Sequence, residues 1–249
     1  MEDREYAMMY QVEDTHFWFK GMRAILESLL STLSLPPRAK ILDAGCGTGI
    51  NLGFLQQFGQ VTGLDYSPHA VHFASDRGFN VQQGSINALP YRANSFDLIT
   101  CHNVIDEASV NDQTALAEFH RVLKPGGYLL VLVPAYQWLL SSHDFYFGTA
   151  RRYTTNSLTK IVRRQHLHPI RSTYANTLLF PIEAVKRLSR KYFPFLYPKL
   201  ESDVTPVPPL LNFLLYLPLL LESFWLKYFN FPFGLSVFVI ARKNATVKS

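Results

Sequence analysis

Asp43, Gly45, Gly47 and Gly49 stand at every second position, directly after the apolar pair Ile41-Leu42. Asp65 lies sixteen residues past Gly49, at the end of a second apolar run, Val61-Thr62-Gly63-Leu64. Two acids that each follow a strand-like run, with a glycine turn behind the first, are groups suited to a nucleotide-like ligand. Glycines without a Cβ let backbone approach such a ligand. N–H groups at the opening of a helix favour its carboxylate or phosphate. An acid closing the second strand is well placed for ribose hydroxyls.

The elements that must hold these groups follow from periodicity. The spacing predicts strands over 40–44, 61–65, 79–83, 96–101 and 128–133. Between them it predicts helices over 49–58, from Pro68 to about 76, and along the Leu116, Phe119, Val122, Leu123 stripe. Lys124-Pro125-Gly126-Gly127 ends that last helix. Strands alternating with helices imply a parallel sheet covered on both faces. Upstream, Met22, Ile25, Leu26, Leu29, Leu30 and Leu33 form a helical stripe that stops at Pro36-Pro37. It reads as an amphipathic helix packed on the domain, or as a lid whose aromatics and Arg23 close over a ligand. Downstream the pattern predicts a helix over 155–166, a strand over 170–175, a helix over 177–193, a very apolar stretch over 210–228 and a last strand over 234–241.

Of 249 residues, 48% are hydrophobic and 17% charged, which argues for a folded chain. The two cysteines, Cys46 and Cys101, make no disulfide framework and point to a reducing compartment. The acidic start, Met1-Glu2-Asp3-Arg4-Glu5, has no signal-peptide character. Net charge is +5, and its distribution says more than its sum: Arg151 to Leu200 holds eleven Lys or Arg against one acid, Glu183. No metal-ligand spacing is present.

Asp43-Ala44-Gly45-Cys46-Gly47-Thr48-Gly49 resembles the first motif of class I S-adenosylmethionine-dependent methyltransferases. Four later stretches resemble that family in order: Val61–Pro68, Gly84–Pro90, Ser95–Ile99 and Arg121–Gly127. The resemblance covers roughly 38–135. It implies an α/β, Rossmann-like, seven-stranded and mostly parallel sheet with helices on both faces, an antiparallel last strand and a helical insertion near the C-terminus. It also implies S-adenosyl-L-methionine on Asp43, Gly45, Cys46, Gly47 and Gly49, with Asp65 on the ribose hydroxyls and Tyr66 also at the cofactor. Ser85 and Ile86 would meet the adenine, His102 and Asn103 would face the reactive methyl, and Arg23 would close from the N-terminal helix. A dinucleotide is the rival ligand, but its glycines read G-x-G-x-x-G and an acid beside a pyrophosphate repels it. Two positions depart from the family pattern: Ser85 stands where an acid is common, and Asp106-Glu107 where many relatives carry Glu-His. The opening Glu13–Phe19 with Arg23 also resembles bacterial methyltransferases of polysaccharide or glycolipid pathways, which share an Arg-Arg-Tyr after strand 5.

A carbon or hydroxyl acceptor needs a base. His143, oriented by Asp144, and His102 are the candidates, against the plain reading of each as a surface or core histidine. Arg151, Arg152 and Tyr153 can hold an anionic substrate, since guanidinium forks match phosphate or carboxylate, or can be helix-flanking residues without a ligand. The twelve residues Leu210–Leu221 would make a helix of ~18 Å, short of a hydrocarbon core of ~30 Å, and Pro218 opposes a spanning helix. They read as a buried cover over the acceptor pocket, or as an interfacial segment beside Lys186, Arg187, Arg190 and Lys191 that meets an anionic membrane. The expected map is one methyltransferase domain over 1–249: a helical lid over 1–37, a cofactor core over 38–135, an acceptor-side segment over 136–233 and a last strand over 234–242. The expected activity is methyl transfer to a small-molecule or lipid-linked acceptor, in the cytoplasm or at the inner face of its membrane. The alternatives are a non-catalytic S-adenosylmethionine-binding module and an RNA methyltransferase. Nucleic acid is the less favoured partner, because the cations sit beside long aliphatic runs and no RNA-binding module is recognisable. Nothing in the sequence bears on oligomeric state.

Overall fold

Strands that are apolar on both faces must be covered on both sides, and the successive residues of β1 show how this chain does it. In a computed structural model that describes residues 3–141, 144, 148–193, 195 and 206–245, β1 (Ala39–Ala44) sends Ala39 and Ile41 into one core and Leu42 and Ala44 into the other. β2 (Gly59–Asp65), β3 (Val81–Gln83), β4 (Phe96–His102), β5 (Leu123–Pro134), β6 (Leu167–Ala175) and β7 (Ser236–Lys243) complete a seven-stranded sheet of order β3-β2-β1-β4-β5-β7-β6. Strands β1 to β5 pair in parallel, and β7 runs antiparallel between β5 and β6. The expected sheet is therefore present, with its antiparallel last strand. β5 begins at Leu123 rather than at 128, because Leu123 pairs with Phe96 across an irregularity before Leu98. Pro169 sits in β6, an edge strand, where a missing donor costs no ladder bond.

The helices are α1 (Asp3–Val12), α2 (Phe17–Leu30), α3 (Ile50–Leu55), α4 (Pro68–Asp76), α5 (Asp112–Val122), α6 (Thr155–Arg164), α7 (Phe180–Tyr192) and α8 (Pro209–Leu226). α1 was not legible as a helix; its support is tertiary, through Tyr10 stacked at 4.9 Å on Phe73 of α4. α3 is shorter than the predicted 49–58, since residues 57 and 58 tighten into i→i+3 bonds to bring the chain into β2. α8 continues through Pro218, the residue that the sequence set against a membrane-spanning helix. The carbonyl that loses its partner belongs to Leu214, itself half-exposed on the outer side of the helix. Its inner side packs on α2 so closely that a Cβ on Gly21 would lie 2.3 Å from Leu219 Cδ1.

Candidate cofactor site

The chain leaves β1 toward β2 on one side and reaches β4 on the other, so a crevice opens at the C-terminal ends of these strands. The glycine turn lies there. Gly45 and Cys46 donate to the Leu64 carbonyl at 2.7 and 3.0 Å, which fastens the turn to β2. Gly47 has φ +55, and nothing lies within 4 Å of where its Cβ would be. A side chain there would fill that space and strain the backbone. Asp65 ties the crevice together: Oδ2 accepts from Gly47 N at 2.8 Å and Oδ1 from Ser67 N at 2.9 Å. Each oxygen retains acceptor capacity for a further donor. Burial raises the Asp65 carboxyl, against the lowering effect of these N–H groups.

Deeper in the crevice, Asp43 Oδ1 accepts from Thr100 Oγ1 at 2.7 Å, while Oδ2 is buried without a partner. Burial lifts the Asp43 carboxyl to about 7. His102 Nδ1 lies 3.2 Å from Asn51 Nδ2 and 4.0 Å from Asp43 Oδ1, and Nε2 is buried and unpartnered. Burial pushes His102 down to about 4, so its imidazole is neutral at physiological pH. An orphaned acid, an orphaned ring nitrogen and an open glycine cradle at one crevice fit a ligand that carries both donors and positive charge.

The N-terminal helices lie against this crevice. Glu13 is fully buried and accepts from Thr48 Oγ1 of the glycine turn and, at 2.8 Å, from Arg77 Nη2. Arg77 also stacks 4.4 Å from the Tyr10 ring. The Tyr6 hydroxyl is pushed up to about 12 by burial and by the nearby Asp65 charge, which sets α1 beside Asp65. Arg23 donates to the carbonyls of Glu13, at 3.1 Å, and Asp14, at 3.5 Å, so it braces the α1–α2 turn rather than reaching the crevice. Glu13 and Tyr6, rather than Arg23, are the N-terminal side chains set against the glycine turn and Asp65; Glu13-Asp14 was visible in the resemblance but without a role.

The loops after β1 to β5 hold the remaining candidates. Asn103 ends β4 in a left-handed conformation, φ +53. Tyr66 is 76% exposed beside Asp65 and free to lie along a ligand. Ile86 is buried, and Ser85 Oγ accepts from Asn87 N at 3.2 Å. Cys46 is buried with a free thiol that burial raises. The Arg151 guanidinium donates to the carbonyls of Ile105, Glu107 and Val110. Buried Arg152 pairs with Asp144 and donates to the Ala135 carbonyl at 2.8 Å. Tyr153 OH donates to Asp112 Oδ2 at 2.8 Å. All three residues expected at the substrate thus have partners inside the protein. Asp144 is engaged by Arg152, Arg187 and Ser141, and the carboxyl, although burial raises it, is held below its ordinary range by the two guanidinium groups. His143 lies outside the described residues. Sequence reasoning gave Glu107 no acid–base role: burial first, then Asp106, raise it to about 7.

Three carboxyls therefore titrate late: buried Asp43 and half-buried Glu107 near 7, and buried Asp106 raised to about 6. An acid whose folded pKa is raised contributes stability that is complete below the unfolded value of about 4 and is lost as pH rises through the folded value. The ligand-free protein is expected to lose melting temperature between pH 5 and pH 8, and Asp43→Asn, which keeps the acceptor for Thr100, to flatten that decline. A melting temperature independent of pH over this window in both proteins would contradict the burial argument.

Residues 42–131 match the family model described as "Methyltransferase domain". A Staphylococcus epidermidis demethylmenaquinone methyltransferase is 37% identical over 127 residues, 46% of this chain and 51% of that protein. An Arabidopsis thaliana tRNA (carboxymethyluridine(34)-5-O)-methyltransferase is 37% identical over 113 residues, 45% of this chain and 27% of that protein. The chain spans about half the length of the first of these curated relatives and less of the second. In fold, a Haloferax volcanii protein solved in complex with the Trm112 methyltransferase activator superposes with a TM-score of 0.65 at 18% identity, over 99% of this chain and 97% of that one. Residues 42–131, which hold the glycine turn and Asp65, are thus similar to a methyltransferase domain, and the chain shares the fold of that solved structure.

Proposed function

We propose that the protein moves a methyl group from S-adenosylmethionine to a small-molecule or lipid-linked acceptor by in-line displacement. The observation that carries this reading is the crevice itself: the open Gly47 cradle beside Asp65, with the buried, unpartnered Asp43 Oδ2 and His102 Nε2 at its floor. When bound, the cofactor supplies an electrophilic methyl on a cationic sulfonium. The chain's part is to hold and shield it. Asp65 takes the ribose hydroxyls, the turn with Asp43 takes the methionine end, and Tyr66, Ser85 and Ile86 frame the adenine. Tyr6 and Glu13 bring α1 over the crevice and exclude water, which strengthens the electrostatics inside. Glu107, raised to about 7, is poised near neutral pH to take a proton from an acceptor. His102, at about 4, is the weaker base of the two and contributes as a neutral polar group at the end of β4.

Labelled methyl transfer from S-adenosylmethionine into a cell extract tests the reading. After fractionation into lipids, small metabolites and RNA, label is expected in the lipid or metabolite fraction. Label in RNA alone would replace the acceptor assignment, in line with the tRNA-directed relative. Tight cofactor binding without label in any fraction would make the chain a non-catalytic binding module.

A further inference from the structure

α8 has one charged residue in eighteen, Glu222, and it is buried, accepting from Leu178 N at 2.7 Å. Every other contact of consequence also leaves the inner side. Asn212 holds Phe17 N at 2.7 Å and Thr15 O at 2.9 Å, and Ser28 donates to the Ser223 carbonyl. What remains outside is a stripe at helical spacing, Leu210, Leu214, Leu221, Phe224 and Tyr228, with Leu221 62% and Phe224 64% exposed. α7 repeats the pattern: Ile182 is 66% and Val185 68% exposed, and Tyr192 continues their line. The charges on α7 are Lys186, Arg187, Arg190 and Lys191 against Glu183. Lys227 follows the end of α8, beside the exposed rings of Trp225, Tyr228 and Phe229.

We infer that the outer faces of α7 and α8 together form a docking surface for an anionic lipid bilayer, on which α8 lies flat. Uncharged stripes with cations at their margin and aromatic rings at a helix end match the layers of a bilayer: hydrocarbon, interface and negative headgroups. A face made for a second protein carries both signs of charge at its rim, whereas here the single acid of α7, Glu183, stands among Lys186, Arg190 and Lys191, with Arg187 turned inward to Asp144. α8 does not cross. Its eighteen residues rise ~27 Å, close to the thickness needed, but spanning would strip away α2 and strand Glu222 and Asn212 in hydrocarbon. β6 runs in the same direction as β5, since each is antiparallel to β7, so α7 leaves the sheet at the edge where the cofactor crevice opens. The surface thereby presents that edge to the bilayer. That last consequence, delivery of a lipid-borne acceptor, rests on the proposed methyl transfer; the docking surface does not.

Co-sedimentation of the full chain with phosphatidylcholine vesicles, with and without phosphatidylserine, is the test, alongside calorimetry of S-adenosylhomocysteine binding. Binding is expected to the phosphatidylserine vesicles and to weaken as salt rises. Leu221→Asp and Phe224→Asp should each lower vesicle affinity about tenfold or more. Lys191→Ala and Lys227→Ala should each lower it about fivefold on anionic vesicles. All four variants should keep wild-type cofactor affinity, which shows that they fold. Failure of the wild type to sediment with anionic vesicles at low salt overturns the proposal. So does a stable dimer that Leu221→Asp splits, which would make the face a contact between copies. Loss of cofactor binding in the wild type would instead remove the methyltransferase reading and leave vesicle binding standing.

Discussion

Replacing Arg152 by methionine is expected to lower stability by about 3 kcal/mol, a fall in melting temperature of roughly 6–12 °C for a chain of this size. The guanidinium is 2% exposed and its partner Asp144 4%. It reaches the carboxylate through two nitrogens and spends a third on the Ala135 carbonyl at the end of β5. Removing it leaves a buried carboxylate with the Ser141 N–H and hydroxyl and one cation, Arg187, 3.2 Å away and partly solvated, and it leaves a buried carbonyl without a donor. Arg187 keeps the loss toward the low end of the range for a broken buried pair. Lysine cannot reproduce a planar fork that serves two acceptors, so Arg152→Lys should recover less than half. Arg152→Met combined with Asp144→Leu should recover most of the loss, because a buried pair replaced as a unit by apolar groups costs little. Thermal unfolding of the four proteins decides the matter. If Arg152→Met melts like the wild type but loses affinity for an anionic acceptor, Arg152 is a substrate clamp, as its place after β5 had suggested, and the buried pair is incidental.

That case shows where the sequence was readable and where it was not. Strand positions followed from runs such as Tyr128–Val133, because a strand covered on both faces needs apolar residues at consecutive positions. The glycine turn followed from spacing, since only a backbone that bends without Cβ clashes can lead a strand into a ligand. What a charged side chain does was not readable in the same way. Arg151 and Arg152 look like an anion site in one dimension. In three, Arg151 finds the Ile105, Glu107 and Val110 carbonyls, more than forty residues away, and Arg152 finds Asp144, eight residues back across a turn of the chain. The placing of Arg23 and Glu13 was hidden for the same reason: Arg23 donates to the Glu13 and Asp14 carbonyls, and Glu13 buries itself against Thr48, thirty-five residues on. The apolar stretch near the C-terminus left its exposure open, because periodicity cannot say which neighbour covers a face. α2 covers only one side of it, through Gly21, and the other stripe remains outside.

Asp65→Ala is expected to weaken S-adenosylhomocysteine binding by about 10- to 100-fold, the worth of hydrogen bonds to a charged acceptor in a dry site. The carboxylate acts twice. It offers free acceptor capacity to the crevice, and it holds the crevice in shape through Gly47 N and Ser67 N, one at the glycine turn and one at the cap of α4. Alanine removes both actions and leaves two N–H groups in need of water. The two are separable with Asp65→Asn. An amide oxygen can still accept from one of these N–H groups, yet it lacks the charge and the second acceptor, so its turn should stay ordered while ligand affinity falls. Calorimetry on both variants, with melting temperature of the ligand-free proteins beside it, reads the two actions apart. If Asp65→Asn binds as tightly as the wild type, the carboxylate's charge plays no part in binding and Asp65 is only a brace for the turn. If Asp65→Ala also binds normally, the ligand lies elsewhere than between β1 and β2, and the assignment of the crevice falls with it.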